Sequence, residues 1–193
     1  MSTCNGESRF SDQALAELEA IVSHYPERKA AVLPALYVAQ REYGGWLPAA
    51  ALAEVARLTG RPLTEVQGVA TYYTMYNLQP RGRHHLEVCT CLTCGCLGAY
   101  DVLHRICAEL GVAPGEVTDD GAFSVAEAEC LNWCAEPTVV QVGDRYFTGL
   151  CSDDVPAWLR ELRGSDAHTV VAQADSVVRA ILPATERPGR QVA

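Results

Sequence analysis

The chain has no apolar run long enough to cross a bilayer. Its longest uncharged stretch, Val66 to Pro80, is 15 residues and rich in Tyr, Thr and Gln, whereas a spanning helix needs about 20 mostly apolar residues. It has no basic excess either. Fifteen Lys and Arg stand against 24 Asp and Glu, for a net charge of -9, which argues against nucleic acid as a partner because phosphate binding wants a basic face. The start, MSTCNGESRFSDQ, lacks the basic and apolar regions of a secretory signal and any Arg-rich presequence. No G-x-G-x-x-G follows a strand and no Walker loop is present, so nothing here is suited to hold a dinucleotide or a flavin by itself. The expectation is a soluble protein in a reducing compartment, without direct membrane insertion.

Cysteine, by contrast, is abundant: nine in 193 residues. Thiols stay reduced in a cytosol and an odd count leaves at least one unpaired, so metal or redox chemistry outranks a disulfide framework. Four of them, Cys89, Cys91, Cys94 and Cys96, fall within VCTCLTCGCLG, and Cys130 and Cys134 follow in ECLNWC. Zinc knuckles usually supply pairs spaced by two residues, which Cys91 and Cys94 match and Cys130 and Cys134 do not. A [2Fe–2S] site also takes four thiolates, and Cys89-x4-Cys94 matches one half-pattern of such sites. A dithiol pair at Cys91 and Cys94, near a helix N-terminus, is a third possibility, but it leaves Cys89, Cys130 and Cys134 without a role. Spacing alone leaves all three open.

The first 80 residues read as helices. Ser11 is placed to cap a helix over residues 12–25, with Leu15, Leu18, Ile21 and Val22 on one stripe. A second is expected over 27–43, kinked or split at Pro34 and closed by Gly44 and Gly45. A third runs from Pro48 to a Gly60 cap, and a fourth from near Thr64 to Asn77. Beyond residue 80 the expected order is strand (86–88), helix (97–111), strand (122–130), a hairpin of 138–142 and 145–149 around Gly143 and Asp144, and a last helix after Ser152. Ser152 is expected to cap that helix, with acidic residues in its first turn. This is an α+β chain: a helical bundle over residues 1–80, then an α/β domain over 81–164 compatible with a thioredoxin-like layout. Residues 165–193 form an extension with one possible short helix, 172–182, and a disordered end. His84 and His85, being adjacent, are unsuited to a Rieske centre and are expected on the surface with Arg81 and Arg83. Tyr72, Tyr73 and Tyr76 are spaced for one helix face, suited to core packing or to partner contact.

HLEVCTCLTCGCLGA followed by GAFSVAEAECLNWC resembles the [2Fe–2S] subunit of NADH:quinone oxidoreductase (complex I), a thioredoxin-like ferredoxin. LPALYVAQREYGGWLP and EVQGVATYYTMYNLQPRGRHHLEVC are similar to that family's helical N-terminal region, so the resemblance runs over residues 12–163. It implies a mixed four-stranded sheet and one [2Fe–2S] cluster whose ligands, carried over residue by residue, are Cys89, Cys94, Cys130 and Cys134. Such a cluster is formally about -2 when oxidised and about -3 when reduced. It passes single electrons and takes no hydride, so FMN and NADH belong to a partner flavoprotein subunit, against which both parts of this chain would pack. No independent catalysis is implied. The implied setting is the peripheral arm of a bacterial complex, among other peripheral-arm subunits on the cytoplasmic face of the membrane. The same subunit type serves soluble NAD-linked formate dehydrogenases and hydrogenases, and a zinc-stabilised interaction module is the competitor of another class.

Two departures stand out. Asn132 and Trp133 lie where the family has small residues, and Pro137 comes one residue early. Cys91 and Cys96 match no family ligand and are read as bystanders. Cys107 is read as a small core residue, and Cys4 and Cys151 as having no role.

Overall fold

The computed structural model describes residues 10–166 together with 169, 171, 180 and 181. The described chain divides into two compact units, with the boundary between Pro80 and Arg81.

The first unit is helical: α1 (Asp12–His24), a 3-10 turn (Arg28–Ala31), α2 (Val32–Glu42), α3 (Ala49–Thr59) and α4 (Leu63–Tyr72). Ser11 caps α1, its Oγ accepting from the Ala14 N–H at 3.1 Å. Leu18 and Ile21 of α1 meet Leu36 of α2 and Val55 of α3 in one buried cluster, against which Ile181 also packs. The single helix expected over 27–43 is instead the 3-10 turn followed by α2. Proline lacks an N–H and is tolerated only in a helix's first turn; beginning α2 at Val32 leaves Pro34 there. The fourth helix stops at Tyr72 rather than Asn77, and Tyr73 is extended. Tertiary bonds hold the next residues. The fully buried Gln40 donates to the Met75 carbonyl (3.2 Å) and accepts from the Asn77 N–H (2.7 Å), while the Tyr76 hydroxyl donates to the Leu33 carbonyl (2.7 Å). The three tyrosines therefore do not share a face: Tyr76 is buried and Tyr72 is exposed.

The second unit contains β1 (His84–Cys89), α5 (Leu92–Cys96), α6 (Ala99–Leu110), β2 (Phe123–Ala128), β3 (Val139–Val142), β4 (Arg145–Thr148) and α7 (Val155–Arg163). The sheet has the order β2-β1-β3-β4, with β1 parallel to β2 and the other pairings antiparallel, which is the mixed four-stranded sheet expected. Leu86 lies beside Val125 and Val142, and Val88 beside Val140. These rows occupy one face and bury against Val102, Leu103 and Ile106 of α6 and Trp158, Leu159 and Leu162 of α7. Complete burial of a side chain such as Ile106 is worth about 1.5–3 kcal/mol.

Four expectations change in this unit. Strand β1 starts two residues early and takes both histidines into the sheet: His84 and His85 are buried, not on a basic surface. His84 packs on the Phe123 ring, and His85 Nδ1 lies 2.8 Å from Ser124 Oγ. The five-residue α5 within the cysteine stretch was not expected; Gly98, at φ +97°, separates it from α6. Ser152 does not cap the last helix, which begins at Val155 with no side-chain cap and no acidic residue in its first turn. Beginning at Asp153 would put Pro156 at the fourth helical position, where an N–H is needed. The helix suggested over 172–182 lies outside the described residues, apart from 180 and 181.

Candidate metal centre

Cys89 ends β1 and Ala128 ends β2, and the two are register partners. The Thr90 N–H continues the ladder to the Ala128 carbonyl at 2.9 Å. The segments leaving these strands thus start one strand spacing apart, about 4.8 Å. The first segment gives Cys91, then α5 with Cys94 and Cys96. The second gives Cys130 and Cys134. Cys89, Cys94, Ala99 and Val139 form a small buried cluster of their own, with Cys91 and Leu131 against it.

The four candidate ligands come together as two pairs. The Cys94 thiol lies beside Cys89 and the Cys134 thiol beside Cys130, and Cys134 lies within electrostatic reach of Cys130, Cys91, Cys89 and Cys94. Among the described residues, no three His, Cys, Asp or Glu side chains form a group that could hold a metal ion; the thiols meet two by two. The first pair is buried and the second exposed. Burial, and then the Cys89 hydrogen bond and charge, push the Cys94 thiol up to about 11. Desolvation and Cys130 raise the Cys134 thiol. A bound cation reverses this, since a coordinating thiol is deprotonated outright. The backbone already offers a donor to sulfur. The Asn132 N–H points at Cys130 Sγ at 3.4 Å, and the Val139 backbone lies near enough to Cys94 to lower its thiol. Four sulfur donors in two adjacent pairs, with the Asn132 N–H aimed at one of them, fit a thiolate-ligated cluster.

Asn132 adopts φ +56°, a left-handed conformation that Asn tolerates better than most residues. That turn aims its N–H at Cys130. This donor was not identified from sequence; Asn132 standing among small-residue positions was the available signal. Of the other cysteines, Cys91 is half-buried and precedes α5, while Cys96 and Cys151 are exposed. Cys107 is half-buried on the helix-covered side of the sheet, its thiol raised by burial. Cys4 lies outside the described residues.

Residues 18–163 match the model of the thioredoxin-like [2Fe–2S] ferredoxin family. An NADH-quinone oxidoreductase subunit from Rickettsia bellii (strain RML369-C) is 39% identical over 156 residues, covering 80% of this chain and 93% of that protein. Its counterpart from Rhizobium meliloti (strain 1021) is 39% identical over 158 residues, covering 82% and 94%. Among solved structures, a chain of an NAD+-reducing [NiFe]-hydrogenase in the H2-reduced state superposes with a TM-score of 0.59 at 20% identity. That match covers 68% of this chain and 22% of the much longer hydrogenase chain, and it speaks to the fold alone.

Proposed function

The chain belongs to the thioredoxin-like [2Fe–2S] ferredoxin family, and we propose that it is the [2Fe–2S] electron-transfer subunit of an NADH–quinone oxidoreductase. In this reading Cys89 and Cys94 hold one iron and Cys130 and Cys134 the other. The bound cluster supplies one-electron exchange with FMN on a partner flavoprotein subunit. The observation that carries the reading is the pairing of the thiols at the ends of two adjacent parallel strands. The residues around the pairs serve the charge that the group carries. Asn132 directs its backbone N–H at Cys130, and such a donor favours the more negative state.

The same reading assigns residues 1–80 to packing on the flavoprotein subunit, 81–164 to the cluster domain and 165–193 to an extension. It places the protein on the cytoplasmic face of a bacterial membrane, held there through other subunits of the peripheral arm. No helix among the described residues is long and apolar enough to cross a membrane.

The test is anaerobic purification of the full chain, analysis of iron and acid-labile sulfide, and EPR before and after dithionite. About two irons and two sulfides per chain, with a rhombic S = 1/2 signal only after reduction, are expected from the ligation. Zinc in their place, or a metal-free chain with dithiol activity, would refute it.

A further inference from the structure

The bulky residue beside the last ligand has a partner. Trp133 stacks on Tyr146, ring centroids 5.8 Å apart and planes 19° from parallel. Tyr146 lies on β4, at the opposite edge of the sheet from β2, whose end the Trp133 loop leaves. Crossing three strand spacings takes about 14 Å, and the five residues from Ala128 to Trp133 reach at most about 17 Å. The loop therefore runs extended from the β2 end towards β4, and its Leu131 packs against the cluster of Cys89 and Val139. Tyr146 pairs with Gln141, and Gln141 with Glu87, so Tyr146 projects from the sheet face that also bears Cys89. The loop turns at the left-handed Asn132. Farther along, Thr148 Oγ1 donates to Glu136 Oε2 at 2.8 Å. The segment holding Cys130 and Cys134 is thus fastened to β4 at Trp133 and again at Glu136. These two cysteines are the exposed half of the site, and Trp133 and Tyr146 themselves remain 49% and 42% exposed.

We infer that Trp133 is a positioning residue for the second ligand pair: its stack on Tyr146 holds Cys130 and Cys134 against the first pair and limits the entry of water at the open side of the site. The inference rests on the cluster reading above. Water favours the more negative, reduced cluster. Releasing the stack therefore raises the reduction potential and exposes the iron to chelators.

The experiment compares Trp133→Ala, Trp133→Phe, Tyr146→Ala and the Trp133→Ala/Tyr146→Ala double variant, as full chains loaded anaerobically, with far-UV circular dichroism as the check on folding. Midpoint potential is read by EPR-monitored redox titration, and iron loss by a chelator time course. Trp133→Ala is expected to shift the one-electron equilibrium tenfold towards the reduced form, about 59 mV upward, and to lose iron several-fold faster. Tyr146→Ala should reproduce both effects, the double variant should add nothing to either single one, and Trp133→Phe should stay near the parent. A Trp133→Ala chain that titrates and retains iron like the parent, or a double variant whose shift equals the two single shifts combined, overturns the inference. If Trp133→Ala does not fold, Tyr146→Ala decides alone. A parent chain without a [2Fe–2S] cluster fails the proposed function itself, and the inference with it.

Discussion

Replacing Gly82 with alanine puts a methyl carbon 2.2 Å from the Phe123 carbonyl carbon, 2.5 Å from its oxygen and 2.6 Å from the Ser124 nitrogen. All three are backbone atoms of the neighbouring chain segment, about 1 Å inside ordinary contact, so no side-chain rotation relieves the overlap. The entry to β1 and the start of β2 must part. Parting them strains the bonds from Gly82 N to Ser124 Oγ (3.0 Å), Arg83 N to the Gly121 carbonyl (2.9 Å) and His84 N to the Ala122 carbonyl (2.8 Å). At about 1 kcal/mol each the loss is about 3 kcal/mol, offset by up to about 1 kcal/mol from the stiffer unfolded chain. A net loss of about 2–3 kcal/mol is large against a typical domain stability of about 5–15 kcal/mol. Gly68, inside α4, is the control: a methyl there meets nothing within 4 Å, and Gly68→Ala should gain about 0.5–1 kcal/mol from helix propensity. Guanidinium unfolding of the loaded full chain, followed by far-UV circular dichroism and by visible absorbance, should move the midpoint down for Gly82→Ala and up for Gly68→Ala. Because β1 and β2 carry the ligand segments, cluster absorbance should also be lost at lower denaturant in Gly82→Ala. A Gly82→Ala chain as stable as the parent would refute the reasoning.

Single serine substitutions at Cys89, Cys94, Cys130 and Cys134 should each abolish or reshape the reduced EPR signal, while Cys91→Ser and Cys96→Ser keep two irons and an unchanged spectrum; the opposite pattern would reassign the ligands. His85 should make stability pH-dependent. Burial first, and then the Arg81 charge, lower it from 6.5 to about 4, so between those values the unfolded chain binds the proton and the folded chain does not. That contribution is complete above pH about 6.5 and is lost as pH falls to about 4, at most about 3 kcal/mol. Parallel urea titrations of parent and His85→Gln chains at pH 7 and pH 4.5 should show a smaller fall in the variant. Gln40→Leu keeps the volume but removes the acceptor from the Asn77 N–H and the donor to the Met75 carbonyl. It should cost the helical unit about 2 kcal/mol, seen as a lower unfolding midpoint with the cluster spectrum unchanged.

Local rules written in the sequence set much of this chain. The Ser11 cap, the glycine stops at Gly60 and Gly111, the tight turn at Gly143 and the apolar alternation along β2 depend on residues close together in the chain, and they stand where the pattern put them. The choice of Cys89, Cys94, Cys130 and Cys134 came from the family resemblance, since their spacing alone also allowed zinc or a dithiol pair. Tertiary structure decided the rest. Gln40 ends α4 early through bonds made 35 and 37 residues away, a choice no local window contains. Parallel pairing with β2 turned His84 and His85 inward. The position of β4 at the far edge gave Trp133 its partner, and the convergence of two strand ends brought separated cysteines side by side. Sequence supplies the donors and the breaks between elements. Which donor meets which depends on strand order and register, and those are settled only when distant segments pack.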